Sequence, residues 1–220
     1  MIHMKLFIDS LDLPTIAYYN DMGILAGVTT NPTMQKEFGF KNDLDMILKL
    51  REVIGNKEIH VEAFGRTADE ILKNSDRILS TGKNLVFKIP FSKEGVYATH
   101  RLTEMQYKTS MHLVFSLSQA IIASVVAPTY MCPLIGRLDD SGQSGMEAIA
   151  PMIGLGPKII VSSVRHPQHV MWARQIGADA VTIPPDVLNL MFDHPLTERG
   201  INIFEEDIKF IRGKKHESEE

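Results

Sequence analysis

Eight short apolar runs recur along this 220-residue chain, and their regular spacing limits the fold more than any other feature. Their first residues lie between positions 5 and 180, in seven steps of about 25 residues each, which is close to the length of one strand followed by one helix. The runs cover residues 5–10, 27–30, 59–64, 84–90, 111–115, 129–135, 158–163 and 180–184. We expect each of them to form a buried β-strand.

Residues typical of helix ends lie between these runs. Thr67 begins a Thr-x-x-Glu capping box ahead of an amphipathic stretch, and Ser92 and Ser116 precede two other helical segments. Pro167 suits the first turn of a helix that Gly177 would end. The chain therefore alternates strands with about eight helices.

This alternation predicts an α/β fold, a single-domain (β/α)8 TIM barrel that occupies residues 1–212 and includes a C-terminal helix. A doubly wound open sheet has the same alternation and is the alternative, because one sequence does not reveal whether the sheet closes. Residues 213–220, GKKHESEE, are charged and lack apolar anchors, which predicts a short disordered tail.

Composition argues against several classes of function. The net charge of −4 offers no basic surplus for binding nucleic acid, and no apolar run approaches the length of a membrane span. The one cysteine, Cys132, cannot form an intramolecular disulfide, and the start of the chain has no apolar run of signal-peptide length. We therefore expect a cytoplasmic protein that binds neither nucleic acid nor membranes.

Charged residues interrupt or follow four of the predicted strands, although a buried parallel strand has no solvated face for them. Asp9 ends the first run, Glu62 interrupts the third, Lys88 interrupts the fourth, and Arg137 follows the sixth. In a barrel the carboxyl ends of the strands meet at one mouth, where barrel enzymes carry their chemistry. The pattern therefore predicts an active site at this mouth.

Lys88 is the most informative of these residues, because its neighbours in VFKIP are all apolar. Loss of hydration disfavours an ammonium, and a neutral amine is the nucleophile that forms a Schiff base with a carbonyl. A structural ion pair with an inward carboxylate such as Glu62 is the alternative, and the pattern leaves both open. Asp9 and Glu62 could serve the proton transfers of carbon–carbon cleavage, or each could cap a helix or pair with an arginine.

Cations follow the sixth and seventh runs. Arg137 and Arg165 carry guanidinium groups, and Ser163 offers a hydroxyl two residues before Arg165; these groups suit a tetrahedral oxyanion such as phosphate. For Arg137 a surface pair with Asp139 or Asp140 is the alternative.

Histidines give weaker signals. His112 interrupts the fifth run, and is either a core histidine or a proton carrier. His166 and His169 are three residues apart but have no third ligand near them in sequence, so we expect no metal site.

Six motifs, in order along residues 4–209, resemble the transaldolase family, specifically its small single-domain branch, which includes the fructose-6-phosphate aldolases. They are FID near the start, GVTTNPT at 27–33, VFKIP at 86–90, FSLSQA at 115–120, GRLDD at 136–140 and HPLTERG at 194–200. The family is built on an (α/β)8 barrel and uses a Schiff-base lysine on its fourth strand, which the resemblance places at Lys88.

The resemblance also implies roles for the other residues at the mouth. Asp9 would be the acid/base at the cleaved hydroxyl, and Glu62 lies where transaldolases have a Glu that acts through a water and the aldolase branch tends to have Gln. The substrate-binding positions are Thr29 and Asn31 for the dihydroxyacetone part, and Arg137, Ser163 and Arg165 for the phosphate.

Two positions depart from the family pattern. His112 replaces a Thr that helps hold the catalytic water, and could take over that role, move the water or contact the substrate. Leu134 lies where transaldolases tend to have Phe and fructose-6-phosphate aldolases Tyr. Because leucine cannot donate a hydrogen bond to the water, this residue, with Glu62, favours transfer over release of free dihydroxyacetone.

We therefore predict a metal-free and cofactor-free Schiff-base transaldolase in carbohydrate metabolism, such as the pentose phosphate pathway. It would move a dihydroxyacetone unit from a ketose 6-phosphate, or from the sulfosugar 6-deoxy-6-sulfofructose, to an aldehyde such as glyceraldehyde 3-phosphate. The alternatives are an aldolase that releases dihydroxyacetone and a sugar-phosphate-binding barrel without turnover. The resemblance further implies a homo-oligomer, a pentamer or decamer.

Overall fold

Eight parallel strands close into a barrel in chain order, and β1 pairs with β8 to complete it. A computed structural model of the chain describes residues 3–217, and the side chains of residues 3–212. The strands are β1 (Lys5–Asp9), β2 (Gly27–Thr29), β3 (Glu58–Glu62), β4 (Leu85–Pro90), β5 (Thr109–Val114), β6 (Tyr130–Pro133), β7 (Lys158–Val161) and β8 (Ala180–Ile183). The predicted (β/α)8 barrel is confirmed, and the open-sheet alternative is excluded.

Helices follow every strand, and the described residues contain eleven of them rather than about eight, because two connections and the segment after β8 each hold two. They are α1 (Leu13–Asp21), α2 (Pro32–Glu37), α3 (Asp43–Ile54), α4 (Ala68–Leu79), α5 (Lys93–Glu104), α6 (Leu117–Val125), α7 (Ile135–Asp140), α8 (Gly145–Ile149) with a 3-10 turn at Ala150–Met152, α9 (Pro167–Ile176), α10 (Pro185–Leu190) and α11 (Pro195–Glu217). Within residues 3–217, none of these helices combines the length and apolar character that a membrane crossing requires.

The last helix extends further than the sequence predicts. The expected tail began at residue 213, whereas α11 continues to Glu217. Residues 218–220, the remainder of the predicted tail, lie outside the described residues.

Side-chain caps begin the helices where the sequence predicts them. Thr67 accepts a hydrogen bond from the backbone N–H of Glu70, whose side chain in turn accepts one from the N–H of Thr67. Ser92 and Ser116 each accept a bond from the N–H three residues further on. Gly177 ends α9 in the left-handed conformation. These local signals fix where the outer helices begin and end.

Alternate residues of each strand point into the barrel, and those nearest the amino-terminal end fill its interior. Phe7, Val86, Tyr130 and Ile160 belong to one buried cluster inside the barrel, separate from the core between strands and helices. Glu58 lies at the amino-terminal end, where it accepts hydrogen bonds from Tyr130 and from the ammonium of Lys108. Apolar side chains and the hydrogen-bonded Glu58 therefore fill the interior from this end, and the barrel opens at the carboxyl ends of its strands.

Gly27 permits the close approach of β2 to its neighbours. A Cβ at this position would lie 2.1 Å from the backbone oxygen of Glu58 and 3.0 Å from the ring of Phe7. We expect Gly27→Ala to lower the free energy of unfolding by about 2–3 kcal/mol, measured by urea titration. Gly200→Ala is the control, since a Cβ there meets nothing within 4 Å. Equal midpoints for the two variants would contradict this account of the packing.

Candidate active site

The carboxyl ends of the strands open into a cleft of about 470 Å³. Its lining contains every residue that the sequence marked as catalytic or substrate-binding: Asp9, Thr29, Asn31, Glu62, Lys88, His112, Arg137, Ser163 and Arg165. These residues come from seven strands or the segments that follow them, so closure of the barrel is what brings them together.

Lys88 projects from β4 into the base of the cleft and is 7% exposed. Its Nζ donates a 2.6 Å hydrogen bond to the backbone oxygen of Thr30. Among the described residues, no carboxylate oxygen lies within the 4.0 Å of an ion pair with this amine, so the alternative of a structural pair with Glu62 is not realised. The amine therefore faces the cleft and is not held in an ion pair with a carboxylate.

Asp9 is the last residue of β1 and lines the same cleft. Its Oδ1 accepts a 2.7 Å hydrogen bond from the hydroxyl of Thr29, which also lies 2.5 Å from the hydroxyl of Thr182. Burial raises the pKa of Asp9, and the charge of Lys88 and the bond from Thr29 oppose this rise only in part. A carboxylate whose basicity is increased in this way is suited to take a proton from a substrate hydroxyl.

Glu62 pairs with His112 instead of with the lysine. The Oε1 of Glu62 lies 2.9 Å from the Nε2 of His112, and both side chains are almost buried. Burial lowers the pKa of His112, although the nearby carboxylate opposes the effect. The second oxygen of Glu62 is buried and has no hydrogen-bond partner among the described residues, so it can accept a bond from a water or a substrate hydroxyl.

Strand β5 contains a bulge beside this pair, which the sequence does not predict. The register shifts between His112 and Val114, and Leu113 has a φ of 56°. As a result, the consecutive residues His112 and Leu113 both line the cleft. A left-handed leucine costs of order 1–3 kcal/mol, and bulges of this kind often re-aim side chains at functional sites.

Asn31 caps α2 at the side of the cleft. Its side-chain oxygen accepts a 2.9 Å hydrogen bond from the backbone N–H of Met34. The oxygen is thus engaged in the cap, which orients the amide so that its NH₂ can donate to a hydroxyl or carbonyl oxygen of a substrate.

The cationic end of the cleft is formed by α7 and the segment between β7 and α9. Arg137 lies on α7, while Ser163 and Arg165 lie on that segment. Arg165 forms a 3.0 Å ion pair with Asp140, in which both side chains are more than half exposed. The alternative of a pair between Arg137 and Asp139 or Asp140 is therefore not realised, since Asp139 contacts His169 instead.

Several residues of the cleft were not singled out from the sequence. They include Ser162, Thr182 and Leu113, together with Leu134, which was noted only as a departure from the family pattern. Thr182 could have been found, because it is a polar residue on the inward alternation of an otherwise apolar run. Among the described side chains, no three His, Cys, Asp or Glu residues are grouped so as to hold a metal ion.

The sequence is similar to a family of known proteins along most of its length. A family model described as Transaldolase/Fructose-6-phosphate aldolase matches residues 6–218. A probable transaldolase of Methanococcus maripaludis is 38% identical over 207 residues, which cover 91% of this chain and 95% of the relative. A probable transaldolase of Moorella thermoacetica is 36% identical and covers 96% of this chain and 100% of its own length.

A solved structure shares the fold alone. Thiamine phosphate pyrophosphorylase from Pyrococcus furiosus superposes with a TM-score of 0.57 over 82% of this chain and 85% of that protein, at 12% sequence identity. Its sequence is too distant to bear on the reaction.

Proposed function

The chain belongs to the transaldolase/fructose-6-phosphate aldolase family, and from this premise we propose that it is a Schiff-base transaldolase with Lys88 as its nucleophile. The donor would be a ketose 6-phosphate or a close anionic analogue such as 6-deoxy-6-sulfofructose, and the acceptor an aldehyde such as glyceraldehyde 3-phosphate. The observation that carries the proposal is the buried amine of Lys88, which forms no ion pair within 4.0 Å among the described residues and shares its cleft with Asp9.

The reaction begins with attack of the Lys88 amine on the C2 carbonyl of the donor, which forms an imine and releases water. Asp9 then takes the proton of the C4 hydroxyl. The C3–C4 bond breaks, its electron pair moves to the iminium, and the product is an enamine on Lys88 together with a free aldehyde. C3 of the enamine then attacks the carbonyl of the acceptor aldehyde, and the new C4 oxygen takes the proton back from Asp9. Water finally hydrolyses the imine and releases the product from Lys88.

Glu62 and His112 serve the proton transfers that precede and follow cleavage. Formation and hydrolysis of an imine each move protons between the carbinolamine and a water. The free oxygen of Glu62 can hold that water, and His112 holds the carboxylate in place through its other oxygen.

The other end of the donor carries the anionic group. Arg137 and Arg165, with the hydroxyl of Ser163, provide the donors that a phosphate or sulfonate requires. Thr29 donates to Asp9, and Thr29 and Asn31 flank Thr30, whose backbone oxygen accepts the hydrogen bond from Lys88, so these two residues would bind the dihydroxyacetone part.

Transfer, rather than release of dihydroxyacetone, is favoured by the surroundings of the enamine. Release requires a water that protonates C3 of the enamine, and Leu134, which lines this cleft, has no hydrogen bond to offer that water. The test is to measure free dihydroxyacetone with fructose 6-phosphate and with sulfofructose as donors, with and without an acceptor. A transaldolase should form it only slowly, whereas release at the full turnover rate without an acceptor would establish an aldolase.

Replacement of Glu62 by glutamine tests the proton relay. Glutamine keeps the size of the side chain but removes its basicity, so we expect kcat to fall by about 10²-fold. The amount of Lys88 adduct trapped by borohydride after long incubation should remain that of the wild type, because the amine is intact. A kcat equal to that of the wild type would exclude this role for Glu62.

We also propose that copies of the chain associate, as a pentamer or decamer, in the cytoplasm. The support is the exposed apolar surface of α11, on which Leu196, Phe204 and Ile211 are each more than 60% exposed. Light scattering of the full chain measures the oligomeric state directly.

A further inference from the structure

The two arginines at the anionic end of the cleft lie on different elements, so contacts between those elements set the distance between them. Arg137 belongs to α7, and Arg165 precedes α9. Both arginine side chains are exposed at the rim, where Arg165 forms its 3.0 Å ion pair with Asp140 on α7. The positions of the two backbones determine where these side chains can reach.

The buried side chain of His169 contacts both of these segments. His169 lies on α9, its side chain is 1% exposed, and it does not line the cleft. Its Nδ1 accepts a 3.2 Å hydrogen bond from the backbone N–H of Arg165, and its Nε2 lies 2.8 Å from Oδ2 of Asp139 on α7. One imidazole thus contacts the backbone of one arginine and the helix of the other.

The protonation state of His169 follows from these contacts. A ring nitrogen that accepts from a backbone N–H carries no proton, so the hydrogen of the neutral ring is on Nε2, which lies 2.8 Å from Asp139 without the alignment of a hydrogen bond. Burial, and to a lesser degree the neighbouring His166, lowers the pKa of His169, while Asp139 opposes this. The neutral tautomer is the one that can make both contacts.

Asp139 also links α7 to the start of α8. It lies two residues after Arg137, and its other oxygen, Oδ1, accepts a 2.8 Å hydrogen bond from the backbone N–H of Gly145 at the start of α8. Because both oxygens are engaged, the carboxylate holds α7 against α8 and α9 together.

Gly136 sets the spacing of the two segments at a second contact. Its N–H donates a 3.1 Å bond to the backbone oxygen of Ser163, and a Cβ at this position would lie 2.1 Å from that same oxygen and 2.8 Å from the side chain of Arg165. Ser163 itself has a φ of 59°. The two backbones therefore touch at Gly136, and His169 and Asp139 hold them in this arrangement.

We propose that His169 is a positioning residue that fixes the separation of Arg137 and Arg165, and thereby sets the affinity of the site for the anionic group of the donor. This inference rests on the proposed function for the identity of the donor. It assigns His169 no contact with the substrate and no part in the covalent steps at Lys88, which lies on β4.

The test separates the anionic end of the site from the covalent end. His169→Phe fills the space but removes both contacts, and we expect affinity for inorganic phosphate, measured by calorimetry on the full chain, to weaken about tenfold. Borohydride trapping with dihydroxyacetone, which carries no anion, should match the wild type. Gly136→Ala disturbs the same spacing at the contact with Ser163. It should likewise weaken phosphate affinity and leave the amount of trapped adduct unchanged.

The control is His100→Phe. His100 is exposed, lies away from the cleft and also pairs with a carboxylate, that of Glu104, at 3.6 Å. This variant should leave phosphate affinity and trapping unchanged. Unchanged phosphate affinity in folded His169→Phe and Gly136→Ala, or an equal loss of trapping, would overturn the inference. A wild type that traps no adduct would instead contradict the proposed function, while the phosphate measurement would still decide the role of His169.

Discussion

Lys88→Met should abolish the covalent chemistry of this protein. Methionine has a similar volume and suits the buried surroundings of β4, but it has no amine to attack a carbonyl. We expect kcat to fall by at least about 10³-fold, since no other step can proceed without the imine. In the wild type, borohydride reduction in the presence of fructose 6-phosphate should add a three-carbon mass to the peptide that contains Lys88, and mass spectrometry of the variant should show none.

Lys83→Met is the matched control for this experiment. Lys83 is exposed and lies just before β4, at the opposite end of the strand from the cleft. It should leave both turnover and adduct formation as in the wild type. A three-carbon adduct that persists in Lys88→Met would show that another amine is the nucleophile. If the wild type binds fructose 6-phosphate but forms no adduct, the chain is a sugar-phosphate-binding barrel without turnover.

The position of Lys88 could be predicted because the topology of a barrel determines where strand ends lie. Once eight strands alternate with helices, residues such as Asp9 and Glu62 must meet Lys88 at one mouth, whatever their side-chain conformations. Spacing alone was therefore sufficient to place them in one cleft. The helix caps were equally accessible, because they depend on residues only three positions apart.

The pairing of these side chains could not be predicted in the same way. The sequence left open whether Glu62 would neutralise Lys88, and the structure pairs it with His112 from a strand 50 residues further along the chain. Both Lys88 and His112 line the cleft, and which neighbour Glu62 contacts depends on side-chain conformations that its own strand does not fix. Pairing thus follows from three-dimensional detail that periodicity does not contain.

His169 illustrates a second limit of sequence patterns. In the sequence it is one of two histidines with metal-like spacing, and nothing relates it to a helix that begins 34 residues earlier. Its contacts with Asp139 and with the backbone of Arg165 appear only when the fold brings α9 close to α7 and to the segment after β7. The residues that hold a site in place are therefore harder to predict than the residues that line it.

Asp9→Asn should lower activity and raise stability in the same protein. Asparagine retains an oxygen that can accept the bond from Thr29, but it cannot take a proton from the C4 hydroxyl, so we expect kcat/KM for cleavage to fall by about 10²–10⁴-fold. Burial raises the pKa of Asp9, which means that the folded state resists ionising this carboxyl more than the unfolded state does. Removal of the ionisable group should therefore stabilise the fold at neutral pH.

The sign of the pH dependence distinguishes this explanation from a simple loss of packing. Because the pKa is higher in the folded state, the wild type binds more protons when folded, and its stability falls as pH rises from the ordinary aspartate range through the raised pKa. The stability advantage of Asp9→Asn, measured by urea titration at a series of pH values, should grow over that same interval and then level off. Over the same interval the kcat/KM of the wild type should rise with pH, as the base ionises, and the variant should lack this rise. A variant that is less stable than the wild type at neutral pH, or that keeps the acidic limb of the profile, would show that Asp9 is held for structure and that another group is the base.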